Sequence, residues 1–137
     1  MLERAASADA FECYERICSP QLARKPWLVV AGRTVTFGQL RARIEALGSF
    51  FSSQAVQAGD RVIVATADDV ESALLFVGSI CWGVTVVNLD PDMGPQRARS
   101  LVAAAAPRLI LIDRELSGRW ELPGDAAAVR TIDQSGG

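Results

Sequence analysis

The chain has 137 residues, of which 50% are hydrophobic and 22% charged, and its formal net charge is −2. This length and composition predict one folded domain over residues 1–137 and argue against disorder. There is no His, which excludes imidazole-based catalytic dyads and triads and His-ligated metals.

The basic residues are spread along the chain, which argues against nucleic-acid binding. Three cysteines, Cys13, Cys18 and Cys81, are an odd number and predict reduced thiols in a cytoplasmic protein. The acidic, polar start of the chain shows no secretory signal.

The N-terminal elements are a helix and a hairpin. Asp9 is a candidate N-cap with Glu12 three residues later, which predicts a helix over residues 10–18. Two runs rich in β-branched and aromatic residues, 27–30 and 34–36, then predict a short antiparallel hairpin.

The next helix has the clearest start signal in the chain. Thr36 can cap it, Gln39 can reach back to Thr36, and Val35 and Leu40 occupy the hydrophobic staple positions. Apolar residues then recur at helical spacing through Leu40, Ile44, Leu47 and Phe51.

Strands and helices alternate from there on. "RVIVAT" predicts a strand buried on both faces, and Asp68 with Glu71 predicts a box-like cap for a helix over residues 70–82. That helix is apolar nearly all round, so it should be deeply buried. The longest uncharged run, 72–89, contains Gly, Ser and Asn, and splits better into this helix and a strand than into a membrane span.

The second half of the chain repeats the pattern. "VTVVNL" predicts a second buried strand, Pro95 opens a helix over residues 96–106, and "RLILID" predicts a third buried strand. Residues 114–128 read as a weakly ordered connection, and residues 129–133 as one more short strand. The order predicts a three-layer α/β fold, flavodoxin-like or doubly wound, with a mainly parallel sheet, helices on both faces and the N-terminal hairpin.

Ligands of open α/β sheets bind beyond the carboxyl ends of the strands. Four acidic residues near such ends, Asp68, Asp69, Asp90 and Asp113, could converge on Mg²⁺. The alternative is that Asp68 caps a helix and the others end strands in solvated turns. The sequence contains no glycine-rich phosphate-binding motif, and its only Lys is Lys25, before the predicted sheet.

The stretch "NLDPDMGP" has side chains with oxygen ligands at alternate positions, Asn88, Asp90 and Asp92, as a calcium loop does. Such a loop needs Gly at its sixth position and Glu at its twelfth, but counting from Asn88 these are Met93 and Arg99. A strand-to-helix connection explains the stretch better, with a residual ligand role for Asp90 or Asp92 as a minor alternative. Aromatic and thiol candidates are interpreted as structural: Trp82 and Cys81 as core residues, and Trp120 as a cover for an exposed face.

The order of these elements resembles the N-terminal region of the AMP-forming acid–CoA ligases, the adenylate-forming enzymes that include acyl-CoA synthetases. The resemblance spans roughly residues 9–133. It rests on four stretches in the family's order, "VTFGQL", "VQAGDRVIV", "CWGVTVVNLDP" and "AAAAPRLILID".

The resemblance implies half of a larger adenylation domain, whose parent uses ATP, Mg²⁺ and CoA. The family's phosphate loop, its later nucleotide-binding motifs and its C-terminal lysine domain have no match here, so no catalytic, cofactor-binding or metal-binding residue is assigned and no cofactor is expected for this chain. The expected partner is the remainder of the adenylation domain. Alternatives are self-association of a stand-alone interaction module and a small flavodoxin-like ligand-binding domain.

Overall fold

The computed structural model describes residues 8–122 and 128–132. The described chain begins with the helix α1 (Ala8–Ile17), which is followed by a single 3-10 turn (Pro20–Leu22). An antiparallel hairpin of β1 (Pro26–Val30) and β2 (Arg33–Thr36) comes next, and then the helix α2 (Phe37–Ser53). The alternating elements that follow are β3 (Arg61–Ala65), α3 (Asp69–Cys81), β4 (Thr85–Asn88), α4 (Pro95–Ala105), β5 (Leu109–Asp113), α5 (Arg114–Trp120) and β6 (Ala128–Ile132).

The four strands after the hairpin, β3 to β6, form one parallel sheet in the order β4-β3-β5-β6. Numbered within this sheet alone, the order is 2-1-3-4, which is that of a flavodoxin-like fold. The prediction of an α/β fold with a parallel sheet and an N-terminal hairpin is confirmed.

Alternate residues of the central strands build two separate cores. Val62 and Val64 of β3 pack with residues of α2 and α3, whereas Ile63 and Ala65 pack with residues of α4 and α5. Successive side chains of a strand point to opposite faces, so a continuous apolar run fills both cores at once. The three layers follow directly from these runs.

The start of α2 forms as predicted. The Thr36 Oγ1 accepts a hydrogen bond from the Gln39 N–H at 3.2 Å, and the Gln39 side chain accepts one from the Thr36 N–H at 2.8 Å. These reciprocal bonds satisfy two backbone donors that a helix start otherwise leaves unpaired.

Other local predictions need correction. Asp9 lies inside α1 rather than before it, so it is not the N-cap. Glu71 does not complete a capping box, because the Asp68 N–H donates to Thr66 Oγ1 and the Glu71 carboxylate pairs with Arg43 instead.

Two predictions about burial were also wrong. β4 is an edge strand whose residues are half-buried or exposed, because it pairs only with β3 among the described strands. The helix α3 is not covered all round: Phe76 is 42% and Ile80 38% exposed.

The predicted weak connection at 114–128 is partly regular structure. Residues 114–120 form α5, and Trp120 is fully buried in the core beneath α4, rather than covering an exposed face. The predicted strand after it is confirmed as β6, although Asp133 lies outside the described residues, as do residues 123–127.

Candidate functional site

The carboxyl ends of β3 and β5 meet as the parallel sheet requires, and Asp113 links them. The Asp113 Oδ2 accepts a hydrogen bond at 2.9 Å from the N–H of Ala67, in the loop after β3. Asp113 is only 8% exposed, and its Oδ1 is buried without a partner among the described residues. One oxygen of this carboxylate is therefore used to hold the two strand ends together.

Asp68 caps α3. Its Oδ1 accepts hydrogen bonds from the N–H groups of Val70 at 3.0 Å and Glu71 at 3.1 Å, and Arg33 of the hairpin approaches it at 3.3 Å. Partial burial acts to raise the pKa of this carboxyl, but the Glu71 N–H and the Arg33 guanidinium outweigh it and hold the pKa below its usual range. Asp68 therefore stays ionised and structurally engaged.

The remaining acidic candidates lie apart from this pair. Asp90 caps its own turn, accepting a hydrogen bond from the Asp92 N–H at 2.8 Å, and both residues are exposed. Asp69 is exposed in the first turn of α3. Within residues 8–122 and 128–132, no three Asp, Glu or Cys side chains come together to hold a metal ion. The possibility that these residues converge on Mg²⁺ is therefore not supported, and the helix-capping alternative explains Asp68.

A cleft of about 420 Å³ lies beside this edge, between the hairpin, α2 and the start of α3. Two ion pairs line it, Arg33 with Asp68 and Arg43 with Glu71. Both terminal guanidinium nitrogens of Arg43 donate hydrogen bonds to the Glu71 carboxylate, one at 3.1 Å, and the two side chains are 28% and 18% exposed. The charged side chains of the two ion pairs in the cleft are thus paired with one another.

Sequence reasoning missed the pair of Arg43 and Glu71. The two residues lie on different helices, and Arg43 reads locally as part of the solvated face of α2. Only the packing of α2 against α3 brings them together, so no local pattern could have indicated the pair.

The aromatic candidates are structural. Trp82 is 7% exposed, and its Nε1 donates to the Ile44 carbonyl of α2 at 2.7 Å. The Nε1 of Trp120 donates to the Met93 carbonyl at 3.1 Å. Both indoles therefore have a buried polar partner, which is what a buried Trp requires. The interpretation of Trp82 as a core residue is confirmed.

An exposed apolar surface lies on the outer side of α3. Phe76 and Ile80 are four residues apart, so they lie one above the other on the same helix face. We call these two residues the α3 patch. Among the described helices, none combines the length and the apolar character needed to cross a membrane.

Comparison with known proteins gives this fold a family. Residues 16–135 match the family model described as AMP-binding enzyme. The 3-hydroxybenzoate–CoA ligase of Aromatoleum sp. (strain CIB) is 27% identical over 130 residues, which are 91% of this chain but 25% of that protein. The L-proline–[L-prolyl-carrier protein] ligase of Streptomyces coelicolor is 29% identical over 120 residues, 85% of this chain and 22% of that protein.

Solved structures agree on the fold. The anthranilate CoA ligase AuaEII, in complex with anthranoyl-AMP, superposes with a TM-score of 0.76 at 23% identity, covering 90% of this chain and 24% of AuaEII. VinN superposes with a TM-score of 0.79 at 23% identity, covering 98% of this chain and 34% of VinN.

The chain thus spans about a quarter of the length of the curated relatives that it matches. The residues matched by the family model cover most of the chain, and the sheet matches the N-terminal portion of adenylation domains. The chain belongs to the AMP-binding enzyme family, that of the AMP-forming acid–CoA ligases.

Proposed function

We propose that this chain is the N-terminal scaffold portion of an ATP-dependent, AMP-forming carboxylic acid–CoA ligase, and that it is inactive alone. The parent would join a carboxylic acid to AMP, release pyrophosphate, and then transfer the acyl group to the CoA thiol. The observation that carries the proposal is coverage: the match takes in nearly all of this chain but only 25% of the 3-hydroxybenzoate–CoA ligase.

The described residues do not fit a site for ATP and Mg²⁺. Asp68 and Asp113 already accept hydrogen bonds from backbone N–H groups, and the sequence contains no glycine-rich phosphate-binding motif. The first strand end is acidic, and a carboxylate repels a phosphate at short range. We assign nucleotide binding to the remaining part of the parent and derive no catalytic step from these residues.

The partner that we propose is that remainder, and the α3 patch is its contact surface. A helix that is apolar nearly all round is typical of a helix covered on all sides. In this chain α2 and the sheet cover one side of α3, whereas Phe76 and Ile80 face outwards. The sequence of α3 therefore fits a larger domain better than it fits the described residues alone.

The inactivity is tested by acid-dependent exchange of radiolabelled pyrophosphate into ATP. The purified chain is assayed with Mg²⁺ and a panel of acids that includes 3-hydroxybenzoate, chosen because a relative is named for it. We expect no exchange above that of a sample without acid. Exchange that depends on the acid and scales with the concentration of the chain would disprove the scaffold proposal.

The contact surface is tested by mixing the chain with the Aromatoleum ligase lacking the segment that matches it. We expect a complex of one copy of each, detected by size-exclusion chromatography with light scattering. Phe76→Ser should weaken this complex at least tenfold. Leu101→Ser should not, because Leu101 is similarly exposed at 36% but lies on α4, across the sheet.

The α3 patch also fits the alternative of a self-associating module, since exposed apolar patches mark interfaces. The oligomeric state of the chain without any partner distinguishes self-association from docking to the remainder of the domain. A dimer that Phe76→Ser converts to a monomer would favour self-association over docking to the remainder of the domain, and a monomer at all concentrations would count against it.

A further inference from the structure

One backbone edge of β4 has no partner among the described residues, since β4 pairs only with β3. The N–H of Leu89 donates to the Val64 carbonyl of β3 at 3.0 Å, and the N–H of Thr85 donates on the same side at 2.9 Å. The hydrogen-bonding groups of successive strand residues point to alternate sides, so Val86 and Asn88 direct their N–H and C=O groups away from β3. We call the backbone groups of these two residues the β4 edge.

The β4 edge lacks the features that keep an exposed strand from pairing, which include charges, Pro residues and bulges. The other edge strands of the described residues have them. β1 contains Pro26 and has an irregular register with β2, β2 contains Arg33, and β6 contains Arg130. β4 is Thr-Val-Val-Asn, and its register with β3 is regular throughout. This sequence therefore fits an internal strand better than an exposed one.

The α3 patch lies on the same side of the chain as the β4 edge. Gly78 of α3 packs on α2, since a Cβ there would lie 2.8 Å from Leu47 Cδ2. Phe76 and Ile80 are each two residues from Gly78, about 200° around the helix, so they point away from α2. α2 lies on the side of β6, where Leu47 and Ile132 line one groove, whereas α3 contacts β3 and β4. The patch therefore points towards the open side of β4.

We propose that the β4 edge pairs with one strand of the remainder of the parent adenylation domain, so that β4 becomes an internal strand of a wider sheet. This inference rests on the proposed function, which names the remainder as the partner of the α3 patch. A surface that covers the α3 patch also reaches the β4 edge. The chain needed for this is large, because the match covers only 25% of the 3-hydroxybenzoate–CoA ligase.

The two cores define the chemistry of the added strand. Val86 packs against the core of α2 and α3, and Val87 against the core of α4 and α5. A strand that extends the sheet here continues both cores, so it should be an uncharged run that is apolar on both faces. A second copy of β4 fits less well. The two-fold antiparallel pairing that bonds all groups of the β4 edge sets Asn88 of each copy opposite Val86 of the other.

The experiment produces the chain together with the Aromatoleum ligase lacking the segment that matches it, and follows amide hydrogen exchange in the chain. In the chain alone, the amides of Val86 and Asn88 should exchange rapidly, because they face solvent. In the complex of one copy of each, both amides should exchange at least about tenfold more slowly, because they donate to the added strand.

Proline at position 88 gives a second measurement. Asn88→Pro removes an N–H that β3 does not use, so the isolated variant should fold like the parent, whereas its complex should be weakened about tenfold or more. The control Asn88→Ala keeps the N–H and should bind within about twofold of the parent. Hydrogen exchange in the parent decides the matter if Asn88→Pro does not fold.

The proposed function and this inference fail differently. If no complex forms, the proposed partner is wrong, and the strand pairing is wrong with it. If a complex forms but the amides of Val86 and Asn88 still exchange rapidly, or Asn88→Pro binds as tightly as the parent, only the strand pairing is wrong. A dimer of the chain alone that Asn88→Pro dissociates would also overturn the inference, because the occupant would then be a second copy.

Discussion

Gly48 of α2 lies directly beneath the indole of Trp82. Replacing Gly48 tests how closely the core between the sheet, α2 and α3 is packed. A Cβ at position 48 would lie 2.3 Å from Cζ2 and 2.5 Å from Cε2 of Trp82, whereas carbon atoms in contact are normally about 3.5–4.0 Å apart. The ring cannot move freely, because it is 7% exposed and is anchored to the Ile44 carbonyl at 2.7 Å. Gly48→Ala must therefore displace the ring or the helix.

The expected magnitude is the balance of opposing effects. Ala in place of Gly in a helix stabilises by about 1 kcal/mol. Overpacking costs about 1–3 kcal/mol, and leaving the buried Ile44 carbonyl without its donor costs about 1–3 kcal/mol more. We expect a net loss of about 3 kcal/mol, which lowers Tm by roughly 10–15 °C in a domain of this size.

Urea unfolding followed by tryptophan fluorescence measures this loss. The matched control is Gly118→Ala, since Gly118 also lies in a helix but a Cβ there would meet nothing within 4 Å. That substitution should be neutral or stabilise by up to about 1 kcal/mol. If Gly48→Ala were as stable as Gly118→Ala, the close packing of Trp82 on α2 would be refuted.

Three further predictions concern polar contacts. Arg43→Ala should lower the free energy of unfolding in urea by about 1–2 kcal/mol, because it leaves the half-buried Glu71 unpaired. The control Arg41→Ala should lower it by less than about 0.5 kcal/mol, because the pair of Arg41 with Glu45 is exposed. Equal losses in the two variants would contradict this difference. The pKa of Asp68 is lowered by folding, so its stabilisation is complete above the unfolded pKa of about 3.9 and is lost as the pH falls from there through the lower folded pKa. The difference in melting temperature between Asp68→Asn and the parent should therefore shrink progressively as the pH falls below about 4, and a constant difference would refute the assignment. Trp120→Phe should cost about 1–3 kcal/mol, since it removes the donor to the Met93 carbonyl, which lies beside the core of α4, α5 and the sheet; a neutral result would show that this hydrogen bond does not stabilise the fold.

The parts of the fold that local chemistry determines could be predicted from the sequence. The two capping bonds join Thr36 and Gln39, which are three residues apart in the chain, so this spacing was enough to locate the start of α2. The central strands β3 and β5 were equally accessible, since a strand covered on both faces must be a continuous apolar run.

The parts that depend on strand order could not be predicted. β4 reads as a buried strand, but its place at the edge follows from β5 pairing with the other side of β3. α5 has weak local signals and forms around Leu116 and Trp120, which are buried against α4. The candidate site shows the same division. The helix cap at Asp68 could be predicted from the sequence, but the hydrogen bond from Ala67 to Asp113 could not, because it joins the ends of two neighbouring strands that lie far apart in the chain.

The central position of β3 has a consequence during synthesis. β3 leaves the ribosome before both of its neighbours in the sheet. β4 follows soon and pairs with one edge of β3. The other edge of β3 stays unpaired until β5 is synthesised, since Ile63 pairs with Ile110. Throughout that interval the nascent chain presents a strand of Val and Ile with one unpaired side, and such edges recruit other chains. A translation pause placed between β4 and β5 should therefore increase the insoluble fraction of the protein more than the same pause placed after β5.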